Sequence, residues 1–179
     1  ISKVIENNSL VIIESTIPIG TTRKSKDLLT SKRNDLDKSK IFFAHCPERV
    51  LPGNAISEII NNHRVIGGLD INSSEKAFSI YRKFCDGEIF KTNAETAEMI
   101  KLSENTFRDV NIGLANELSL IAADNNIHID DVIYLANKHP RVDIHKPGIG
   151  VGGHCIPVDP LFLIENRSQE DSIIKKARE

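Results

Sequence analysis

A thiol that follows a run of glycines is the strongest chemical signal in this sequence. The stretch GIGVGGHCIPVDP, residues 148–160, has four glycines within six residues, then Cys155, and then Asp159 four residues after the thiol. Glycine is common where the backbone takes a positive φ or comes close to a ligand. A cysteine becomes a nucleophile when a nearby cation, dipole or base favours its thiolate. The stretch therefore predicts a loop on which a small molecule meets a nucleophilic cysteine.

Polar residues elsewhere in the chain supply what such a thiol needs. Lys101 and Asn105 are four residues apart, so a helix places them on one face, where they offer a cation and a neutral oxyanion donor. Asp159 or Glu48 offers a carboxylate for base work. Two alternatives stay open on the residues alone. The helical pair is equally a solvated stripe, and an isolated buried cysteine usually fills apolar space.

Strand and helix patterns alternate through the first ninety or so residues, which predicts a parallel α/β sheet. Ligands of such sheets bind at the carboxyl ends of the strands, where Ser15, Thr16 and Glu48 fall. Turn formation explains Ser15 and Thr16 equally well, and Glu48 is also consistent with a surface carboxylate. The four predicted strands are LVIIEST (10–16), IFFAHCPE (41–48), HRVIGGLD (63–70) and GEIFKTN (87–93).

From Asn93 the pattern becomes helical, and Gly113 is the only Gly or Pro in more than thirty residues. A helix of this length suits a connector or a dimer interface. A shorter helix follows and Pro140 stops it. We therefore divide the chain into an α/β part, residues 1–92, and a helical part, residues 93–179. The residues expected on the buried stripe of the long helix are Ile100, Phe107, Leu114, Leu118 and Ile121.

Composition excludes several classes of function. The chain has 179 residues, 40% hydrophobic and 27% charged, with a net charge of -2, which argues against a nucleic-acid groove. No apolar run approaches a membrane span. Three widely spaced cysteines form a poor disulfide framework and favour a reducing, cytoplasmic setting, and their spacing matches no metal site. The chain starts at Ile1 rather than methionine, which is typical of a fragment or a processed chain.

Taken together, the motifs resemble the UDP-glucose/GDP-mannose dehydrogenase family, the nucleotide-sugar 6-dehydrogenases. The resemblance covers nearly the whole chain in the family's order. It implies the second half of a Rossmann-like NAD-binding domain followed by an all-α central domain. It also implies that the Gly-rich turn before this region and the third domain after it are missing. The motifs are ESTIPIGTT, CPERVLPG, NHRVIGG, TAEMIKLSENTFRDVNIGLANELSLIA, ANKHPRV and PGIGVGGHCIPVDP.

The family's chemistry is a four-electron oxidation of the sugar C6 alcohol to a carboxylate, with NAD as the oxidant. Carried over by position, the resemblance makes Cys155 the nucleophile that forms a thiohemiacetal and then a thioester. Lys101 and Asn105 would stabilise charge on the C6 oxygen. Asp159 would act with Lys101 in positioning or activating a water molecule. Glu48 would be the acid/base for hydrolysis of the thioester. A thiolate suits this task because it traps an aldehyde and still leaves from a thioester.

The resemblance also implies how cofactor and substrate are bound. Ser15 and Thr16 would approach the cofactor, and Arg141 would reach across a homodimer formed through the long helix. Lys146 would join a loop that wraps the sugar and its phosphates. The glycines of that loop are Gly148, Gly150, Gly152 and Gly153.

The substrate class and the activity of the chain follow only from the resemblance. The sequences GGHC and HPRV favour an N-acetylated UDP-hexosamine, UDP-N-acetyl-D-mannosamine first, with UDP-N-acetylglucosamine or UDP-glucose as alternatives. Without the Gly-rich turn, we expect this chain alone to bind NAD weakly and turn over little. A non-catalytic dimerisation fragment is the alternative from another functional class. A cysteine-acylating hydrolase is weaker, since no Cys–His–acid set is placed except by proximity in sequence.

Overall fold

Two compact units make up the chain, Ile1–Lys101 and Leu102–Glu179. The computed structural model describes residues 1–50, 53–151, 156–165 and 172–178. Within these ranges, no helix has both the length and the apolar character needed to cross a membrane.

The first unit alternates strands and helices, as the sequence predicts. Its strands lie within the four predicted segments, and a single 3₁₀ turn at Lys38–Lys40 precedes the second of them. The elements in order are β1 (Leu10–Ile13), α1 (Thr21–Ser31), β2 (Phe42–His45), α2 (Ala55–Asn61), β3 (Arg64–Gly68), α3 (Ile71–Tyr81), β4 (Ile89–Asn93) and the start of α4 (Ala94–Asp124).

The four strands form one sheet in the order β1-β2-β3-β4. The α/β class is confirmed, but the sheet is mixed rather than wholly parallel. β1 pairs with β2 in parallel and β3 with β4 in parallel, whereas β2 and β3 are antiparallel with Ala44 opposite Gly68. A parallel return needs a crossover, usually a helix packed on the sheet. The seven residues of α2 include no buried one, so this helix does not serve as such a crossover.

The side chains of β2 alternate between two apolar clusters, as the period of a strand requires. Ala44 and Cys46 pack in the cluster that includes Tyr81 of α3, and Phe43 packs in the cluster that includes Leu29 of α1. Both faces of this strand are therefore covered, which explains why it is wholly buried. The remaining buried members are Ile66 and Ala77 in the first cluster and Ile5 and Ile41 in the second.

Helix α3 is attached to the sheet through two buried hydroxyls. Its N-cap is Asp70, whose side chain accepts the Ser73 N–H at 2.7 Å. The serine hydroxyls accept backbone N–H groups of the strands, Ser73 from Phe43 at 3.1 Å and Ser74 from Gly68 at 3.2 Å. The two side chains thus satisfy strand donors that the ladder leaves unpaired.

The second unit is helical in its described parts. It contains the rest of the 31-residue α4, then α5 (Ile129–Ala136), α6 (Asp159–Ile164) and α7 (Ile173–Lys176). The predicted long helix is therefore confirmed, and α5 ends before Pro140 as expected.

The predicted apolar stripe of α4 is not its buried face. Phe107 and Leu114 are 57% and 51% exposed, whereas Ala115 is fully buried. Two polar residues, Asn105 and Asp109, are also buried in this unit. Periodicity of large apolar residues misses this face because alanine permits close packing and because Asn105 and Asp109 are buried with hydrogen-bond partners of their own.

Candidate active site

The carboxyl ends of β1 and β2 lie side by side, because these strands are parallel neighbours. Their backbone pairing continues beyond the strands, with the Cys46 N–H donating to the Ile13 carbonyl at 2.9 Å and the Glu48 N–H to the Glu14 carbonyl at 3.1 Å. Ser15 follows directly at this edge. The structure thus brings Glu48 beside the segment that carries the predicted cofactor residues.

The side chains of Ser15 and Thr16 are available to a ligand. Ser15 is exposed and Thr16 is half-buried. Neither hydroxyl makes a hydrogen bond to another residue of the described part of the chain. Free hydroxyls at the carboxyl end of a strand in an α/β sheet fit the contact with a dinucleotide expected there.

The carboxylate of Glu48 is held in one orientation. Its Oε1 accepts the backbone N–H groups of Arg49 at 2.6 Å and Val50 at 3.1 Å. Its Oε2 lies 3.8 Å from Nη2 of Arg64, and Arg64 is a buried residue with only 7% of its surface exposed. The guanidinium of Arg64 also lies over the ring of Tyr81, 4.8 Å from the centroid. Glu48 keeps a partly open side, so it remains accessible to water.

Two buried residues, Tyr81 and Cys46, lie near this edge together with the exposed Glu14. The Tyr81 hydroxyl donates to Oε1 of Glu14 at 2.5 Å. Burial raises the pKa of the Cys46 thiol to about 12, against a smaller opposing effect of the Tyr81 hydroxyl. Burial also raises the pKa of Tyr81 well above its usual value. At neutral pH the Cys46 thiol is therefore uncharged, and this residue packs in the core and does not act as a nucleophile.

Glu98 of α4 anchors the start of α1 within the first unit. Its side chain is fully buried and accepts the backbone N–H of Gly20 at 2.5 Å. It also accepts the backbone N–H and the hydroxyl of Thr22, at 2.8 and 2.6 Å. Lys101, one turn further along α4, is half-buried and has no ion-pair partner among the described residues.

Two residues of the predicted site meet in the second unit. The Asn105 amide donates from Nδ2 to Oδ2 of Asp159, and both side chains are buried. Asp159 is the first residue of α6, which has Pro160 next to it, so the helix begins at the carboxylate. The two residues are far apart in sequence, and their pairing places an amide and a carboxylate together in a dry environment.

The segment that leads to the glycine loop is held along α4 by two asparagines that the sequence did not single out. Asn111 accepts the His145 N–H at 2.8 Å, and its Nδ2 donates to the Asp143 carbonyl at 2.7 Å. Asn116 accepts the Gly148 N–H at 2.8 Å. Asparagine side chains along a helix are ordinary solvent-facing residues, so no local pattern predicts this function.

The predicted substrate residues of this region are exposed. Arg141 and Lys146 are both open to solvent, and Gly150 has a φ of 78°, which favours glycine. Lys146 lines an open groove of about 860 Å³ together with Arg108 and Lys138. Of the remaining predicted residues, Gly152, Gly153 and Cys155 lie outside the described part of the chain.

Comparison with known proteins matches the two halves of the chain separately. Residues 1–85 match the NAD binding domain of the UDP-glucose/GDP-mannose dehydrogenase family, and residues 95–179 match the central domain of the same family. These matches confirm the resemblance drawn from the motifs.

Curated relatives and a solved structure are more specific. The chain is 55% identical over 175 residues to a UDP-N-acetyl-D-mannosamine dehydrogenase of Methanocaldococcus jannaschii, covering 98% of this chain and 39% of the relative. It is 50% identical to the enzyme of the same name from Campylobacter jejuni, covering 100% and 46%. A UDP-D-ManNAc dehydrogenase structure from Pyrococcus horikoshii superposes with a TM-score of 0.94 at 50% identity, covering 99% and 42%. The chain thus spans less than half the length of the relatives it matches.

Proposed function

Because the chain belongs to the UDP-glucose/GDP-mannose dehydrogenase family, we propose that its residues oxidise C6 of a UDP-sugar through a covalent intermediate on Cys155. The alcohol is converted first to an aldehyde and then to a carboxylate. Two molecules of NAD⁺, bound one after the other, would supply the oxidising power, each accepting the hydride of one oxidation. The match of residues 1–85 to the family's NAD binding domain supports this cofactor, as do the free hydroxyls of Ser15 and Thr16.

The proposed sequence of steps balances as follows. The C6 alcohol loses a proton and a hydride to give the aldehyde. The Cys155 thiolate adds to the carbonyl carbon, and the oxygen takes a proton to give a thiohemiacetal. Loss of that proton and a second hydride gives a thioester, which water hydrolyses to the carboxylate and the free thiol. Throughout, the sugar remains bound to the chain, so no free aldehyde is released.

The observation that carries this proposal is the buried pair of Asn105 and Asp159. Its hydrogen bond fixes the orientation of the amide. Nδ2 donates one N–H to the carboxylate and retains a second N–H for the substrate oxygen. Lys101 lies four residues earlier on α4, and its ammonium adds positive charge for the developing C6 alkoxide. Asp159, bonded on one oxygen, retains acceptor capacity for a water molecule.

Glu48 is the proposed acid/base for thioester hydrolysis. Two backbone N–H groups and Arg64 fix one side of its carboxylate, while its side chain remains 37% exposed. A general base must have a defined direction and access to water. Glu48 meets both requirements.

UDP-N-acetyl-D-mannosamine is the substrate we propose, because the curated relatives at about half identity carry that substrate in their names. Other UDP-hexoses remain the competing substrates. Arg141 and Lys146 are exposed cations on the segment before the glycine loop and suit the diphosphate. Gly148 and Gly150 suit the close approach of backbone to the sugar, and we extend this role to Gly152 and Gly153.

We also propose that the chain forms a homodimer through α4. Phe107, Leu114, Leu120 and Ile121 leave half or more of their surface exposed on this one helix. A second copy would cover them, and it would bring its exposed Arg141 to the neighbouring site. Light scattering measures the molar mass of the chain in solution directly. A monomer at micromolar concentration contradicts the dimer but does not contradict the proposed reaction.

Trapping of the thioester tests the proposed function. Because this chain alone is expected to bind NAD weakly and turn over little, the test needs only one turnover: we would incubate the Glu48→Gln variant for a long period with NAD⁺ in large excess and the C6 aldehyde of UDP-N-acetyl-D-mannosamine, and measure intact mass. The expected result is an acylated chain whose adduct maps to Cys155 and is released by hydroxylamine. Cys155→Ser in the same background should give no adduct, whereas Cys46→Ser should still give one. Absence of acylation at Cys155 contradicts the proposal and favours a non-catalytic dimerisation unit.

A further inference from the structure

An ion pair between a buried carboxylate and a partly exposed guanidinium joins α4 to the last described residues of the chain. Asp109 is fully buried, and Nη1 of Arg178 lies 3.1 Å from its Oδ1 and 3.0 Å from its Oδ2. Arg178 follows α7, whose end approaches α4 closely: a Cβ on Gly113 would lie 2.8 Å from the Ala177 carbonyl oxygen. The glycine thus allows the approach that brings the guanidinium to the carboxylate.

The same guanidinium also binds the backbone just after the proposed nucleophile. Its Nη1 donates to the Ile156 carbonyl at 3.4 Å and its Nη2 to the Pro157 carbonyl at 2.5 Å. These residues are the first two after Cys155 in sequence. Two residues further on, Asp159 is held by Asn105. The segment 156–159 is therefore held at one end by Arg178, which is paired with Asp109 of α4, and at the other by Asn105 of α4.

Stability alone is a poor explanation for this arrangement. The Asp109 carboxylate loses its hydration, and this cost offsets most of what the ion pair gains over apolar packing of the same volume. The specific property of arginine is its planar fork, which holds several acceptors at fixed angles. Here the fork binds one carboxylate and two carbonyls at once, and the carboxylate fixes the fork. The geometry is that of a clamp on the backbone.

We propose that Asp109 and Arg178 are positioning residues that fix the backbone between Cys155 and Asp159 for the reaction. The catalytic meaning of this clamp rests on the proposed function, because it needs Cys155 as the nucleophile. Arg178 touches neither substrate nor cofactor in this proposal. It acts through the carbonyls of Ile156 and Pro157, and Asp109 acts through Arg178.

The informative variant is Arg178→Lys. Lysine keeps the positive charge beside Asp109, so the buried carboxylate is not left unpaired and the unit still folds. A single ammonium lacks the two separated nitrogen atoms that reach Asp109 and Pro157 together. The matched control is Arg82→Lys, since Arg82 also donates to two backbone carbonyls, those of Cys85 and Gly87, but in the first unit.

Two measurements test the clamp and its function separately. Amide hydrogen exchange of Ile156 and Val158 should be about tenfold faster or more in Arg178→Lys and unchanged in Arg82→Lys. In the Glu48→Gln background, the maximal rate of Cys155 acylation by the UDP-sugar aldehyde should fall by about tenfold or more. The aldehyde concentration that gives half that rate should stay unchanged, since Arg178 touches no substrate.

The outcomes separate the two hypotheses. Unchanged exchange in Arg178→Lys overturns the clamp. Faster exchange with an unchanged acylation rate overturns the positioning role, because the segment then moves without effect on the reaction. If the chain with Arg178 intact is not acylated at all, the proposed function fails. In that case the exchange measurement still decides whether the clamp exists, and its catalytic role is overturned with the function.

Discussion

Glu98 caps α1 across 76 residues of sequence, accepting both the backbone N–H and the hydroxyl of Thr22. The helix begins with Gly20 at its N-cap, which has no side chain to offer, and the Gly20 N–H also donates to Glu98. A carboxylate at this end of a helix is favoured by the helix dipole as well as by the unpaired donors. A residue of α4 thus provides what a local Ser or Asp usually provides.

Replacing this carboxylate should destabilise the first unit. In Glu98→Gln, the amide group would face backbone donors, and one of the three hydrogen bonds would be lost in a fully buried place. We expect unfolding by urea to show a loss of about 2–4 kcal/mol. The control is Glu95→Gln, one turn earlier, whose partly exposed pair with Arg23 should contribute less than about 1 kcal/mol. Equal losses in the two variants would contradict the capping role.

A second prediction concerns the pH dependence of stability. His45 is fully buried with no hydrogen-bond partner for either ring nitrogen among the described residues, and burial lowers its pKa, with the charge of Glu98 opposing in part. Below about pH 6.5 the unfolded chain therefore takes up a proton that the folded chain resists. This contribution to stability is present above that pH and is lost as the pH falls.

The expected slope is at most about 1.4 kcal/mol per pH unit for one proton. Urea unfolding of His45→Gln between pH 7 and pH 5 should be less dependent on pH than unfolding of the unsubstituted chain. His128→Gln, at an exposed position, serves as the control and should keep the original slope. If His45→Gln keeps it too, His45 is not the group that titrates.

A third prediction uses the pair of Asn105 and Asp159. Asn105→Asp would place two carboxyl groups in buried contact, and one of them would then have a raised pKa because both cannot ionise together. The folded variant would hold a proton that the unfolded chain releases above about pH 4. Its unfolding free energy should thus be lower by about 2–3 kcal/mol at pH 7, and the deficit should shrink towards pH 4.

Asp159→Asn is the matched control for this pair, because two amides can still form one hydrogen bond without charge. Its loss of stability at pH 7 should therefore be smaller than that of Asn105→Asp. A deficit in Asn105→Asp that is equal at pH 7 and pH 4 would show that the loss comes from shape and not from charge.

Thiol labelling distinguishes the cysteines. With a pKa of about 12 for Cys46, about one molecule in ten thousand carries its thiolate at pH 8. Cys46 and Cys85 are both free and buried. Iodoacetamide at pH 8 should therefore label Cys155 first, with Cys46 reacting only in urea, as judged by peptide mass mapping. Labelling of Cys46 at the rate of Cys155 would contradict both the burial of the one and the proposed activation of the other.

Much of the fold was predictable because the first half of the chain contains short apolar runs, typical of strands, that are separated by turn residues. β2 and β3 lie in segments whose apolar residues are nearly continuous, and the 31-residue α4 lacks internal breakers other than Gly113. The antiparallel step between β2 and β3 was not predictable, since it depends on an α2 that packs no buried residue. Strand direction is a property of the connection and not of the strand.

Part of the site was predictable from residue types and spacing. The helical spacing from Lys101 led to Asn105 and the glycine-rich stretch led to Asp159, and the structure brings these two together. The roles of Lys101 and Glu48 stay predictions. Glu98 and Arg64 escaped notice because a charged residue on a helix or at a strand end looks solvated until its partner is known. Their partners are distant in sequence, and no period or spacing encodes such a contact.

One glycine of β3, Gly67, occupies a position where no larger residue fits. A methyl group at Gly67 would lie 2.5 Å from Cβ of Ala97 and 2.6 Å from the Asn93 carbonyl oxygen, so even alanine has no room. Ala97 is itself fully buried against this strand. A compensating change at Ala97 would still leave the backbone oxygen in the way. No single substitution at Gly67 is therefore tolerated. A mutational scan of the chain should recover only glycine there.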